Sequence, residues 1–148
     1  MDGKIIPYNA RILVADGKKA LLLRNAGNAA DLLLEVEEVL EAPGNAANHE
    51  QGTDRPGRTA TGSNRSSLGQ TDFHELEEDR FLGTVAKHIE DHWLNAAVRS
   101  VYIIAPPRAL ARLRKSISPP LKTKIASEHD KDLVNLPIAE IERYLSAW

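Results

Sequence analysis

The chain has 148 residues, of which 42% are hydrophobic and 27% are charged. This composition is typical of a soluble globular protein and excludes a disordered chain, and the length fits one domain, residues 1–148. The formal net charge of −2 provides no global basic field, so any anion site has to be local. The absence of cysteine excludes disulfides, thiolate metal sites and cysteine nucleophiles. No segment has the pattern of a signal peptide or a membrane span, so we expect a cytoplasmic protein.

The first part of the chain predicts three antiparallel strands. Apolar runs at 12–15 and 20–23 flank Asp16-Gly17, a dipeptide that is typical of tight hairpins because both residues tolerate positive φ. Over 31–42, apolar and polar residues alternate, which favours a third strand with one solvated face. A helix is the alternative for this last segment.

A long polar segment separates these strands from the first predicted helix. Residues 43–72 hold five of the nine glycines and almost no residue that could enter a core, which predicts one long loop. Loops of this length are usually functional or disordered. Asp72 and Glu75 then fit a capping box at the start of a helix over about 73–97.

The second half predicts alternating strands and helices. A buried strand is expected within 99–107, an amphipathic helix over 108–117, a strand within 121–129, and a last helix that starts at Leu136-Pro137. The chain is therefore expected to have an α/β fold with a ribonuclease-H-like mixed sheet, three antiparallel strands followed by βαβα, and flanking helices.

Carboxylates that could hold catalytic metal ions occur at the first hairpin and after the last strand. Asp16 lies in the Asp-Gly turn, and a turn role explains it without a metal. Asp130 and Asp132 follow a predicted strand, where α/β folds place ligands. They could equally cap backbone amides in a turn, and both interpretations remain open.

Two histidines on the long helix have the spacing of a metal-binding pair. His88 and His92 lie one helical turn apart, but they lack the HExxH order and the sequence shows no third ligand. A solvated helix face is therefore expected. We predict neither a metal site nor a cofactor.

Local positive charge is the remaining candidate chemistry. Arg55 and Arg58 flank a Pro-Gly turn, Arg65 follows in the same loop, and Arg108 begins a basic helix. Guanidinium groups bind phosphate bidentately, so these four residues predict an anion- or RNA-binding site. The alternative is that Asp54 pairs with Arg55 or Arg58 and that the helix cations are only solvated.

Four segments in the chain resemble the bacterial host attachment protein family: VADG at 14–17, DRPGR at 54–58, IIAPPRALARLRKSIS at 103–118 and EHDKDLVNLPIAEIERYL at 128–145. That family is similar in fold to the middle domain of archaeal and eukaryotic class-one peptide-chain release factors. In those factors the loop before the first long helix carries the Gly-Gly-Gln that promotes peptidyl-tRNA hydrolysis. The corresponding loop here contains Leu68-Gly69-Gln70, only half of that motif. The resemblance therefore does not carry hydrolysis over to Gln70.

This resemblance implies two functions of different classes. The family name implies a non-enzymatic binding module implicated in bacterial attachment to host cells, acting indirectly through envelope or host-surface factors. The similarity to release factors implies a cytoplasmic module that binds the ribosome, or its rRNA or tRNA, through Arg55, Arg58 and Arg65. A hydrolase or nuclease that uses Asp16 and Asp130 is a third hypothesis.

Overall fold

The fold is a five-stranded mixed sheet with helices on both faces. The computed structural model describes residues 5–43 and 67–147, and within 67–72 it describes the backbone alone. The strands are β1 (Arg11–Ala15), β2 (Lys19–Asn25), β3 (Leu34–Glu41), β4 (Val101–Ile104) and β5 (Ile125–His129). The helices are α1 (Ser67–Trp93), α2 (Pro107–Ser116), α3 (Pro119–Lys122) and α4 (Ile138–Ser146). The predicted α/β architecture is confirmed.

The sheet has the order β3-β2-β1-β4-β5. The first three strands form an antiparallel meander, and β1 pairs with β4 and β4 with β5 in parallel. The carboxyl ends of β1, β4 and β5 consequently lie at one edge of the sheet.

Two apolar layers hold the helices against the sheet. In β1, Leu13 and Ala15 face α1 and α2, whereas Ile12 and Val14 face α4, and all four are fully buried. This alternation follows from the two-residue period of a strand. Burying each large aliphatic side chain contributes about 2 kcal/mol, so the central strands carry much of the stability of the fold.

The predicted hairpin between β1 and β2 is confirmed, but its turn does not use the positive φ angles that the Asp-Gly dipeptide predicted. Within 5–43 and 67–147, the only residue with positive φ is Asn9, so the turn uses a left-handed conformation at neither Asp16 nor Gly17. A Cβ at Gly17 would instead lie 2.7 Å from the Cγ and Cδ atoms of Glu78. Glycine therefore gives the α1 side chain room to approach the turn.

Strand β3 contains a β-bulge that the sequence pattern did not indicate. Leu23 pairs with Val36 and Leu22 with Glu38, so Glu37 is an extra residue on β3. A bulge reverses the alternation of a strand beyond it. Leu34 and Val36, before the bulge, share the α4 face with Leu23, whereas Glu38 shares the α1 face with Leu22.

Helix α1 begins earlier and ends earlier than predicted. Its backbone is helical from Ser67, so the capping box at Asp72 does not start it, and 67–72 is not part of a loop. It ends at Trp93 rather than near residue 97, because Asn95 donates from its side-chain amide to the His92 carbonyl and accepts the Ala97 N–H. The rest of the predicted loop, 44–66, lies outside the described residues.

The second half agrees with prediction apart from one short helix. Pro137 immediately precedes α4, as the predicted helix start requires, and Pro106 occupies the same position before α2. The segment after α2 was expected to be a strand from 121, but Pro119 starts the one-turn helix α3 and β5 begins only at Ile125. Leu121 of α3 is fully buried, which explains why an apolar residue lies there without a strand.

Candidate functional site

A cavity of about 340 Å³ opens at the carboxyl ends of β1 and β4. Its walls are the hairpin turn, the middle of α1 and the start of α2. They include Asp16, Lys18, Glu78, Pro106 and Arg108. Ligands of α/β folds bind at this edge of the sheet, so the cavity is the first candidate site.

Asp16 has the turn role that its sequence context predicted. One of its carboxylate oxygens accepts the backbone N–H groups of Lys18 at 2.8 Å and Lys19 at 2.9 Å. The Asp16 N–H in turn donates to the Lys19 carbonyl at 2.9 Å. These bonds close the hairpin and explain the carboxylate without any catalytic metal.

Arg108 lies at the mouth of the cavity, beside two carboxylates. Its guanidinium is 3.4 Å from the carboxylate of Glu75 and 3.9 Å from that of Asp79, and its side chain is about half exposed. With Asp16 and Glu78, four carboxylates face two cations, Arg108 and Lys18. The described part of the mouth is therefore acidic, so Arg108 alone does not make the anion pocket that the sequence predicted.

The other cations of α2 are directed to two different neighbours. Arg112 donates from Nε to the Asp79 carbonyl of α1 at 3.4 Å. Arg114 donates to Glu128 of β5 at 2.7 Å, and Lys115 is exposed. Two cations on the basic face of α2 thus donate hydrogen bonds to neighbouring elements. An exposed ion pair of this kind is worth less than about 1 kcal/mol.

A second depression, of about 550 Å³, lies between α2 and the edge strand β5. Arg114, Lys122 and Glu128 provide its charged groups, and Ile117 and Ile125 provide its apolar floor. Sequence reasoning missed this site because Lys122 and Ile125 belong to segments that were expected to form one strand. The basic face of α2 was the only signal that pointed to it.

The remaining predicted site residues do not join these cavities. Asp130 and Asp132 are exposed after β5, at the same edge of the sheet as Asp16, but they are absent from the described walls of either cavity. Gln70 lies in the helical backbone near the start of α1, not in a loop. Asp54, Arg55, Arg58 and Arg65 lie outside the described residues. Over the described ranges, none of the helices is both long enough and apolar enough to cross a membrane.

The two histidines of α1 have a third neighbour that the sequence did not reveal. Glu38 of β3 places a carboxylate oxygen 2.8 Å from Nε2 of His88. His92 stacks on His88 with ring centroids 4.2 Å apart. The carboxylate of Glu38 and the imidazoles of His88 and His92, with Glu38 and His88 50 residues apart in the chain, thus form one cluster on the α1 side of the sheet.

Comparison with known structures defines the class of this fold. The chain is similar to the archaeal translation termination factor aRF1, with a TM-score of 0.52, 13% sequence identity, and coverage of 99% of this chain and 38% of that one. The chain thus spans well under half the length of that factor. At this identity the likeness shows the fold alone.

The family follows from the sequence. The model of bacterial archaeo-eukaryotic release factor family 12 matches residues 9–145. The chain belongs to this family. A search of curated proteins gives no match.

These comparisons decide between the two resemblances in the sequence. The similarity to release factors is supported by both the family and the fold. The host attachment family, which was the first interpretation of the sequence, receives no support from either comparison.

Proposed function

We propose that the protein is a ribosome-binding module of the release-factor type that contacts RNA and does not itself hydrolyse peptidyl-tRNA. The observation that carries this proposal is the family match over residues 9–145. Attachment to host cells, directly or through envelope factors, has no comparable observation behind it.

The charge distribution supports a local rather than a global RNA contact. The net charge is −2 and the cavity at the ends of β1 and β4 has an acidic mouth, so the described strand ends do not attract phosphate. Arg55, Arg58 and Arg65 belong to the segment between β3 and α1, where the release factors that the sequence resembles carry their functional loop. We assign the phosphate contacts to these three arginines, with Arg108 as a neighbour on α2.

The absence of a complete Gly-Gly-Gln argues against hydrolysis. Leu68 replaces the first glycine, and Gln70 lies within the helical backbone of α1. We therefore expect binding without chemistry.

Co-sedimentation with ribosomes in sucrose gradients tests the binding. We expect the wild type to sediment with ribosomes at low salt, and Arg55→Ala/Arg58→Ala to lose most of this binding. The matched control is Arg99→Ala/Arg143→Ala, which removes the same charge from exposed residues before β4 and on α4. The slope of log affinity against log salt should fall by between about 1 and 2 in the first variant only. No ribosome association of the wild type at low salt overturns the proposal.

A release assay tests the absence of hydrolysis separately. Ribosomes that carry labelled peptidyl-tRNA are incubated with the protein, and the freed peptide is measured. We expect release at the spontaneous rate. Release well above that rate, lost in Gln70→Ala, would show that the protein is an enzyme even if the ribosome binding is as proposed.

A further inference from the structure

The cluster of Glu38, His88 and His92, which we call the β3–α1 triad, has the chemistry of a transition-metal site. One ligand atom from each residue lies within 4.8 Å of those of the other two. Two imidazole nitrogens and one carboxylate oxygen form the His₂Glu set that zinc accepts in proteins, with a fourth position left for water. The side chains of His88 and Glu38 are 23% and 43% exposed, so an ion can enter from solvent.

The β-bulge is what brings the carboxylate to the histidines. Strict alternation along β3, with no bulge, would place Glu38, two residues after Val36, on the same face as Val36, toward α4. The bulge turns Glu38 to the face that α1 covers, opposite Leu22. Bulges often re-aim a side chain next to a functional site, and here the re-aimed side chain is the third ligand.

The helix arranges the two imidazoles for the same role. Residues four apart lie on one face of a helix, so His88 and His92 are neighbours, and their rings stack with an interplanar angle of 20°. The lone pair of each ring nitrogen lies in the plane of its ring, so the His88 ring has to turn about its Cβ–Cγ bond for both nitrogens to face one ion. Nδ1 of His92 lies 2.8 Å from the His88 carbonyl oxygen, so Nδ1–H donates and Nε2 keeps its lone pair. A hydrogen bond of this kind, to a backbone carbonyl, commonly fixes the tautomer of a metal-ligating histidine.

We propose that the β3–α1 triad binds one Zn²⁺ ion through Nε2 of His88, Nε2 of His92 and the carboxylate of Glu38. Ligand atoms of a tetrahedral zinc lie about 3.3 Å apart, and each residue of the triad has a possible ligand atom within 4.8 Å of the others, so side-chain rotations can bring the three donors together. The bound ion takes the place of the hydrogen bond between Nε2 of His88 and Glu38, and the proton of that bond passes through solvent to Nδ1 of His88, so the imidazole binds as its neutral Nδ1–H tautomer. The ion also links the edge strand β3, which ends before the segment 44–66, to α1, which begins after it.

Zinc titration of the untagged full chain tests this proposal. Isothermal titration calorimetry should give one equivalent of bound Zn²⁺, and Zn²⁺ should raise the melting temperature because it binds only the folded state. Mg²⁺ should do neither, since it prefers all-oxygen ligand sets. The absence of Zn²⁺ binding by the wild type overturns the proposal.

Single substitutions assign the ligands. Glu38→Gln, His88→Gln and His92→Ala should each weaken Zn²⁺ binding at least tenfold and reduce the shift in melting temperature. The matched controls are His74→Gln, an exposed histidine of the same helix, and Glu41→Gln, an exposed carboxylate of the same strand. Both should bind as the wild type does. Equal loss in the control variants, or unchanged binding in Glu38→Gln/His92→Ala, assigns the ion to other groups and overturns the site. Far-UV circular dichroism without metal checks that each variant is folded.

Discussion

Gly27 lies against the backbone of Asp31 so closely that a Cβ on Gly27 would be 2.1 Å from the Asp31 carbonyl oxygen. That oxygen also accepts the Asn28 N–H at 3.0 Å, within the turn that connects β2 to β3. A methyl group at Gly27 can therefore be accommodated only if the backbone of the turn moves.

Replacing glycine by alanine should have very different effects at the two crowded positions. Gly27→Ala displaces backbone and should lower the free energy of unfolding by about 3 kcal/mol or more. Gly17→Ala meets only the flexible side chain of Glu78, at 2.7 Å, so we expect a loss of less than about 1 kcal/mol. Urea unfolding followed by circular dichroism measures both. Equal losses would mean that backbone crowding at Gly27 does not decide the outcome.

The buried amide of Asn25 should be one of the most sensitive polar positions. Asn25 is fully buried; its Nδ2 donates to the carbonyls of Ile6 and Pro7, and its Oδ1 accepts the N–H of Gly27 and Leu33. Removing the amide leaves several of these backbone groups shielded from water and without a hydrogen-bond partner. Asn25→Ala should cost about 3 kcal/mol in urea unfolding.

An exposed asparagine provides the control for Asn25. Asn95 makes a comparable pair of backbone hydrogen bonds after α1, but in contact with water that can replace them. Asn95→Ala should therefore cost about 1 kcal/mol or less. Similar losses for the two variants would contradict the assignment of the Asn25 effect to burial.

The order of elements and the apolar layers could be predicted from the sequence because they depend on local periodicity. The position of Glu38 was not predicted, because the extra residue Glu37 changes the apolar spacing of β3 from two to three between Val36 and Val39 and so turns Glu38 to the other face. The early start of α1 was missed for a similar reason. Leu68 is the only large apolar residue among 67–72, so the start of α1 lacks the apolar spacing that indicates a helix.

The candidate sites depended still more on contacts that are distant in the chain. Arg108 was expected to bind anions because four cations share one helix, but the carboxylates beside it come from α1. A solvated helix face was expected for His88 and His92 because the sequence shows no third ligand, and Glu38, their neighbour in the fold, is 50 residues from His88 in the chain. A spacing argument along one helix cannot detect either relationship.

Tyr102 should make the protein less stable at alkaline pH. Its hydroxyl donates to the Ile5 carbonyl at 2.9 Å, and burial raises the pKa of Tyr102 above its ordinary value of about 10. The folded state thus favours the neutral phenol. This contribution to stability is fully present below about pH 10 and is lost as the pH rises through the raised pKa.

Urea unfolding between about pH 9 and 12 measures this effect. The free energy of unfolding of Tyr102→Phe should be about 1 kcal/mol lower than that of the wild type at neutral pH, and it should fall less steeply above pH 10. Tyr8→Phe, at an exposed tyrosine, is the control and should follow the wild type. Parallel alkaline losses in the wild type and Tyr102→Phe would assign the loss to other groups.

Removing the carboxylates beside Arg108 should strengthen RNA binding if Arg108 belongs to the contact surface. Glu75 and Asp79 lie within 4 Å of its guanidinium and oppose an approaching phosphate. Glu75→Gln/Asp79→Asn should bind a fluorescently labelled tRNA about fivefold more tightly at low salt, measured by anisotropy, and less so as salt screens the charges. Asp91→Asn/Glu41→Gln removes the same charge at exposed residues elsewhere and should change the affinity by less than about twofold. Adding Arg108→Ala to the first variant should abolish its gain, because the freed guanidinium is then absent. Equal gains in the two neutralised variants would show that only the net charge matters and that Arg108 does not contact RNA.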